Sequence, residues 1–396
     1  MIHRADDAHE GARTLTLLLA STLTVMAGAT IAPGLPGMRD HFAGVPGAEF
    51  LTKMVLTSPA LGIAVCGSLV GWLIDRRGRK LVLLCSIALY AAAGTSGLYL
   101  DSPLRVLAGR LILGVAVAGT MTASTTLVGD YFRGAERNRV VGLQAAAMNL
   151  GGVLFVTLGG YLAAWHWRAP FLVYASALFL VPLAAKVLTE PDRSPEISTG
   201  AGPARMTDVV GLLSFLYTAV FLMQIAFFMI PVQLPFYLEQ IGETSPTRVG
   251  AAIALMTVFS ASTAASFKWI ASRFDKLFIM GASFSLMGIA YVFLSMVSEF
   301  GQVAVCMMVL GLGLGMTFPN FVGWLMSGTP AEIRGRVVGG MMTIGFAGQF
   351  LSPIVVHPVI RHFGLDGAFR IVGIAVLGGG AAALVAPIVK RVSRNG

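Results

Sequence analysis

Twelve stretches of the chain are almost purely apolar, and short polar segments separate them. They cover residues 14–36, 51–73, 81–100, 104–129, 138–161, 169–187, 209–236, 247–270, 277–297, 301–326, 337–360 and 368–389. Each is about twenty residues or longer, enough at 1.5 Å of rise per residue to cross roughly 30 Å of hydrocarbon. A backbone in hydrocarbon must satisfy its own N–H and C=O groups, so these runs are expected to be transmembrane helices. The first run is too long for a signal-peptide core and has no clean small-residue cleavage site, so it is expected to remain as the first helix.

Composition agrees with that pattern. Of 396 residues, 56% are hydrophobic and 12% charged, with a mean hydropathy of +0.79. Soluble domains carry about 25% charged residues, so a soluble globular class is excluded. The net charge of +9 does not call for nucleic acid, because the basic residues sit in the short segments between spans. Of 28 Lys and Arg, 20 fall in segments on one side of the bilayer, 7 on the other, and Arg110 lies inside a span. The positive-inside rule then predicts both termini in the cytoplasm of a multi-pass protein, with the plasma membrane (a bacterial inner membrane) as its location. Cys66, Cys85 and Cys306 each lie within an apolar span without metal-ligand spacing, and read as small core residues.

The longest polar interior segment, 188–208 (LTEPDRSPEISTGAGPARMTD), falls near the middle of the chain and reads as a linker. The two sides of it repeat. Trp72 and Arg76 align with Trp269 and Arg273 at an offset of 197, as do Gly114 with Gly311 and the run 139–142 with the run 336–339. The expected organisation is an N-terminal six-helix bundle over 1–187, a cytoplasmic linker over 188–208 and a C-terminal six-helix bundle over 209–396. Parallel repeats of this type place a binding site at their interface near mid-membrane.

The segment from Gly71 to Lys80 reads GWLIDRRGRK. It resembles the signature loop of the major facilitator superfamily, G-x-x-x-D-R-x-G-R-[RK], at every fixed position and between the second and third spans. A degenerate copy, Lys268 to Lys276, lies between spans eight and nine. Arg110-Leu-Ile-Leu-Gly114 resembles the Arg-x-x-x-Gly element of the 12-helix drug:proton antiporter branch. In the fifth span, Gly151 and Gly159-Gly160 match that branch, whereas Phe155-Val156 stand where it carries Gly-Pro. The resemblance covers the whole chain. It implies an all-α membrane protein, with twelve transmembrane helices in two pseudo-symmetric six-helix bundles, working as a secondary transporter by alternating access. Within that resemblance Gly71, Asp75, Arg76, Gly78 and Arg79 form the gating loop. Asp75 and the neighbouring cations are expected to make a charge cluster at the inner rim.

In this family the first, fourth, seventh and tenth helices line the cavity. The polar and adaptable residues on those spans are Met26 and Thr30, Arg110 and Met121, Gln224 and Phe228, and Asn320, with Gln349 from the eleventh. An ionisable group within a span is costly and is usually turned into the bundle, which singles out Arg110. Its repeat mate is Met307, so symmetry does not demand it. The spans hold no Asp or Glu deep in the membrane, which favours neutral or anionic solutes over cations. His357 lies toward the outer end of its span. No nucleotide-binding loop, metal cluster or catalytic constellation is present, so neither an enzyme, nor a cofactor, nor direct use of ATP is expected.

The expected function is efflux of small amphipathic solutes by a monomer in contact with membrane lipid, with protons as the candidate coupling ion. Export of an endogenous metabolite (a siderophore, sugar or lipid), an uncoupled facilitator, and a receptor or scaffold without transport are the alternatives.

Overall fold

Proline and glycine punctuate the apolar runs, and most helices start or stop at one of them. A computed structural model describes the backbone of residues 2–191, 209–330 and 333–395, and the side chains of 10–191, 209–330 and 333–385. No strand occurs among the described residues. The chain divides into two compact units, Met1–Thr199 and Gly200–Gly396. Residues 192–208 of the expected linker, Arg193 and Arg205 with them, lie outside the described residues.

Unit 1 contains α1 (Ile2–Ala29), α2 (Leu35–His41), α3 (Ala48–Arg77), α4 (Arg79–Gly94), α5 (Pro103–Tyr131), α6 (Gly134–Ala163) and α7 (Ala177–Val187). The first apolar run does not stay helical to residue 36. Pro33 has no N–H to offer the carbonyl of Ala29, where α1 stops, and a short 3-10 turn over Ala32–Gly34 leads into α2. Pro103 opens α5, where its missing N–H costs nothing. The sixth span begins as a 3-10 helix, Ala169–Ser176, and relaxes into α7.

Unit 2 contains α8 (Val210–Gln240), α9 (Pro246–Ala265), α10 (Phe267–Ala271), α11 (Lys276–Leu294), α12 (Phe300–Gly328) and α13 (Arg334–Asn395). Among the described residues, 11 helical segments are long and apolar enough to cross a membrane. The twelve expected spans become eleven because α13 carries the last two of them in one helical trace. It is interrupted at Gly364, with φ 72° and ψ 178°. Side-chain-bearing residues avoid that backbone region, so the glycine supplies the corner between the two spans.

Helices in a bilayer gain little from the hydrophobic effect and depend on close packing, so small residues mark where they touch. In unit 1, α3 packs on α5, and a Cβ on Gly114 would collide with the carbonyl of Pro59. In unit 2, α9 packs on α12, and a Cβ on Gly311 would collide with the carbonyl of Met256. Both partners in the second contact lie 197 residues after those in the first, so the sequence repeat is also a repeat of packing. Helix α11 meets the second part of α13 through glycines on both sides. Gly281 and Gly288 lie against Leu384 and Leu377, while Gly373 and Gly380 lie against Val292 and Ser285.

Replacing Gly364 by Ala should destabilise unit 2 by about 1–3 kcal/mol through backbone strain alone, since a Cβ there meets nothing within 4 Å. Gly378→Ala, also in open space but on a regular part of α13, should be neutral or slightly stabilising. Thermal unfolding of both variants in detergent checks this; equal melting would mean that the corner does not depend on glycine.

Candidate functional site

Arg110 lies on α5 and is completely buried. A guanidinium in an apolar bundle needs acceptors, and the ones it finds are main-chain carbonyls and a phenol. Its Nε donates to the Val55 carbonyl at 3.2 Å. That carbonyl is available because the residue four positions on is Pro59, inside α3, which has no N–H to donate to it. One terminal nitrogen donates at 2.5 Å to the carbonyl of Ala27, among the last carbonyls of α1, which have no partner within their own helix. The other donates at 2.8 Å to the hydroxyl of Tyr174, whose ring centre lies 5.3 Å from the guanidinium carbon. The carboxyl end of a helix carries partial negative charge, so the end of α1 is an apt site for a cation.

Met26 and Thr30 belong to this cluster. Met26 is fully buried, and its carbonyl accepts from the Thr30 hydroxyl at 2.6 Å and from Tyr174 at 3.4 Å. Tyr90, buried against Tyr174, donates to the Leu23 carbonyl at 2.7 Å. Arg110 therefore joins α1, α3, α5 and the sixth span, and does not reach for the outer rim. Met121, eleven residues further along α5, is about 16 Å away by helical rise, and is only partly buried.

In unit 2 the structure brings two other candidates together. Gln224 of α8 and Gln349 of α13 line a cavity of about 160 Å³, whose remaining walls include Met223, Phe318, Met342 and Phe346. Among the described residues neither amide takes a side-chain hydrogen bond, so two donor–acceptor groups face an otherwise apolar pocket. Phe228, one turn beyond Gln224, is buried and packs edge-on against Phe227. Asn320 does not join the pocket: its amide donates to the Lys276 carbonyl at 2.9 Å and ties α12 to the start of α11.

The loop between α3 and α4 is organised by Gly78, Arg79 and Lys80 of the signature together with acids that the signature does not contain. Gly78 has φ 95° and ends α3. The first amides of α4, those of Arg79 and Lys80, donate to the two carboxylate oxygens of Glu190 at 2.7 and 2.8 Å. Glu190 thus caps α4 from the segment after α7. A Cβ at position 78 would lie 2.7 Å from its carboxyl carbon, so the glycine leaves room for the cap. The Lys80 ammonium donates to the Ala185 carbonyl at 2.8 Å, and Arg79 pairs with Asp130 of α5 at 3.2 Å. Arg76 lies over the Trp72 ring at 4.4 Å, and Arg273 lies over Trp269 at 3.9 Å, which repeats the pair in unit 2. Asp75 and the position of Gly71 are open: Asp75 is exposed, and a Cβ on Gly71 would meet nothing within 4 Å. Among the described residues, the acids that engage this loop are Glu190 and Asp130 rather than Asp75.

A signal for Glu190 is present in the repeat. Gly78 aligns at 197 with Asp275, and Asp275 caps α11 by accepting from the Phe278 amide at 2.8 Å. The second half carries its cap at the helix start. The first half has a glycine there, so an acid from elsewhere in the chain is required.

Comparison with known proteins agrees with this architecture. The family model described as Major Facilitator Superfamily matches residues 17–353. The bacillibactin exporter of Bacillus subtilis is 31% identical over 146 residues, which cover 35% of this chain and 36% of the exporter, about a third of its length. A putative proline/betaine transporter of Staphylococcus aureus is 24% identical over 379 residues, covering 86% of this chain and 80% of that protein. The crystal structure of a bacterial homolog to the human lysosomal transporter Spinster, inward-facing and unoccupied, superposes with a TM-score of 0.75. It is 15% identical and covers 97% of this chain and 94% of that one, so it shows the shared fold.

Arg110→Leu strands the Val55 and Ala27 carbonyls and should cost about 2–4 kcal/mol, against about 1 kcal/mol for Tyr174→Phe. Melting temperature and solute flux measured on both variants decide what the residue does. Loss of flux at unchanged melting would overturn the scaffold role assigned to it. Glu190→Ala should lower stability by about 1 kcal/mol, whereas Asp75→Asn should leave it unchanged.

Proposed function

The chain belongs to the Major Facilitator Superfamily, and on that footing we propose that this membrane transporter is an efflux carrier for small, neutral, amphipathic solutes. The observation that carries the reading is the unit 2 pocket, where the unpartnered amides of Gln224 and Gln349 share walls of Met and Phe. Two amides offer donors and acceptors without a charge, and methionine adapts to apolar surfaces of varied shape. A cavity of about 160 Å³ accommodates one ring-sized group. A drug-sized ligand usually needs a pocket of about 300–1,000 Å³. The pocket therefore suits one end of an amphipathic molecule.

An anionic solute would need a counter-charge, and Arg110 is the cation that the sequence places well within a span. Its donors are engaged by Val55, Ala27 and Tyr174, which moves the preference to uncharged substrates. Outward direction follows the likeness to a bacillibactin exporter. Cytoplasmic termini follow the distribution of basic residues, and protons are the proposed exchanged ion. The likeness to a putative proline/betaine transporter supports a second reading, in which a small zwitterion is carried, with the same amides binding its polar groups.

Proteoliposomes loaded with a panel of neutral and charged amphipathic solutes test the proposal under an imposed pH gradient. Gln224→Leu and Gln349→Leu should each raise KM for a neutral substrate by roughly tenfold, the worth of one hydrogen bond, with the maximal rate largely kept. Equal KM in wild type and both variants would remove the pocket from the transport path. Preference for zwitterions over neutral solutes would favour the second reading.

A further inference from the structure

One end of unit 1 holds a polar cleft that transport, as read above, does not use. It encloses about 920 Å³ between the last two turns of α5, the start of α6, Arg79 and Pro191. Arg79, Arg133 and Arg137 line it, with Asp130 as the acid among its lining residues. Asp130 is already engaged by Arg79 at 3.2 Å. Arg137 folds back over Gly129 at the end of α5. Among the described residues, neither Arg133 nor Arg137 is in an ion pair, so two guanidiniums stand in the cleft without an anion.

The start of α6 adds to this. Arg133 is its N-cap residue, in extended conformation with φ −127° and ψ 154°, and no side chain caps the helix. Gly134, the first residue of α6, is exposed and lines the same cleft. The leading amides of a 30-residue helix are therefore open where the two arginines stand. A helix start offers N–H donors and partial positive charge, and a guanidinium offers a fork of parallel N–H groups. Orienting the chain in a bilayer requires basic residues at this end, but neither a cleft nor an uncapped helix start. A carboxylate presents two oxygens and can fill one fork. A phosphate presents more, in tetrahedral array, and can engage both arginines and the helix amides together.

We propose that this cleft binds a phosphate group, carried by an anionic membrane lipid or by a soluble phosphate. By the charge distribution, this end of unit 1 faces the cytoplasm, where the inner leaflet presents such headgroups to basic pockets. The site is independent of the substrate reading, because it lies on other residues and asks for the opposite ligand chemistry.

The test uses the full-length protein. In the first arm, detergent-purified protein is offered phosphatidylglycerol and phosphatidylcholine, and retained lipid is read by native mass spectrometry. Wild type should prefer phosphatidylglycerol, and the double variant Arg133→Gln/Arg137→Gln should bind it roughly tenfold more weakly. The control Lys268→Gln/Arg273→Gln, in the unit 2 counterpart of the α3–α4 loop, should match wild type. In the second arm, inorganic phosphate is titrated without lipid and read by thermal shift. A shift in wild type that the double variant lacks would assign the site to soluble phosphate and still support it. In the third arm, phenylglyoxal modification of the wild-type protein is mapped by peptide mass spectrometry, which needs no variant to fold. Lipid or phosphate should protect Arg133 and Arg137. Equal modification with and without both ligands, or a control variant that loses lipid as strongly as the double variant, would overturn the proposal.

Discussion

The bilayer offers no solvent to an unsatisfied polar group, and Arg110 shows how unit 1 is built around that constraint. A fully buried cation is ordinarily matched by an acid, and among the described residues none pairs with Arg110. The compensation comes from acceptors that other features of the fold leave spare: a carbonyl released by Pro59 in α3, a carbonyl at the end of α1, and the Tyr174 hydroxyl. Each charge-assisted bond of this type contributes about 1.5–3 kcal/mol. The three together hold four elements in a single register. The proline and the arginine are therefore one device. Pro59 alone would leave an orphaned carbonyl in hydrocarbon, and Arg110 alone would lack an acceptor on α3. Gly114, one turn from Arg110, brings α5 close enough to α3 for the bond to form.

Unit 2 keeps the packing of this arrangement and drops the charge. Gly311 approaches Met256 as Gly114 approaches Pro59, but the position of Arg110 is taken by buried Met307. With a methionine at 256 in place of proline, α9 releases no carbonyl there, and no cation is needed to receive it. A second tyrosine device persists in both halves. Tyr90 donates to Leu23, and Tyr291 donates to Ala226 at 2.5 Å, each joining the third span of its unit to the first. The halves thus share a scaffold and differ in what it carries. Unit 1 spends its polar groups on its own cohesion, and unit 2 leaves two amides unspent in a pocket.

The parts of this fold that were legible in the sequence are those with a local or periodic cause. Apolar runs located the spans, and the loop from Gly71 to Lys80 identified the family. The offset of 197 found the repeat, including the matched positions Trp72 with Trp269 and Arg76 with Arg273, but not that each pair stacks. What stayed hidden depends on backbone atoms or on distant partners. The acceptors of Arg110 are carbonyls, which every residue has, and only Pro59 hints at one of them. Glu190 reaches α4 across 111 residues of chain and lies in a segment that reads as linker. The corner at Gly364 is one glycine of 47, and nothing in the sequence separates it from those that serve packing. Asn320 and Gln349 have similar side chains, one on a cavity-type span and one on the eleventh. One is taken by the Lys276 carbonyl and the other faces a pocket, a difference that helix packing alone decides.

Charge placement bears directly on what such a carrier can admit. A solute entering hydrocarbon-enclosed protein loses water, and an ion does so at a cost that only a fixed counter-charge offsets. The buried Arg110 is already solvated by the protein, so drawing an anion to it would require breaking bonds that hold α1, α3 and α5 together. Three acids near helix ends are occupied in the same way: Asp130 with Arg79, Glu190 with the start of α4, and Asp275 with the start of α11. A neutral molecule needs no counter-charge. It has only to replace its lost water bonds, and two amides set among thioether and aromatic groups can do that while its apolar part gains contact. On the proposed reading, selectivity for the carried solute rests on hydrogen-bond pattern and shape, with the buried charge of Arg110 kept for architecture.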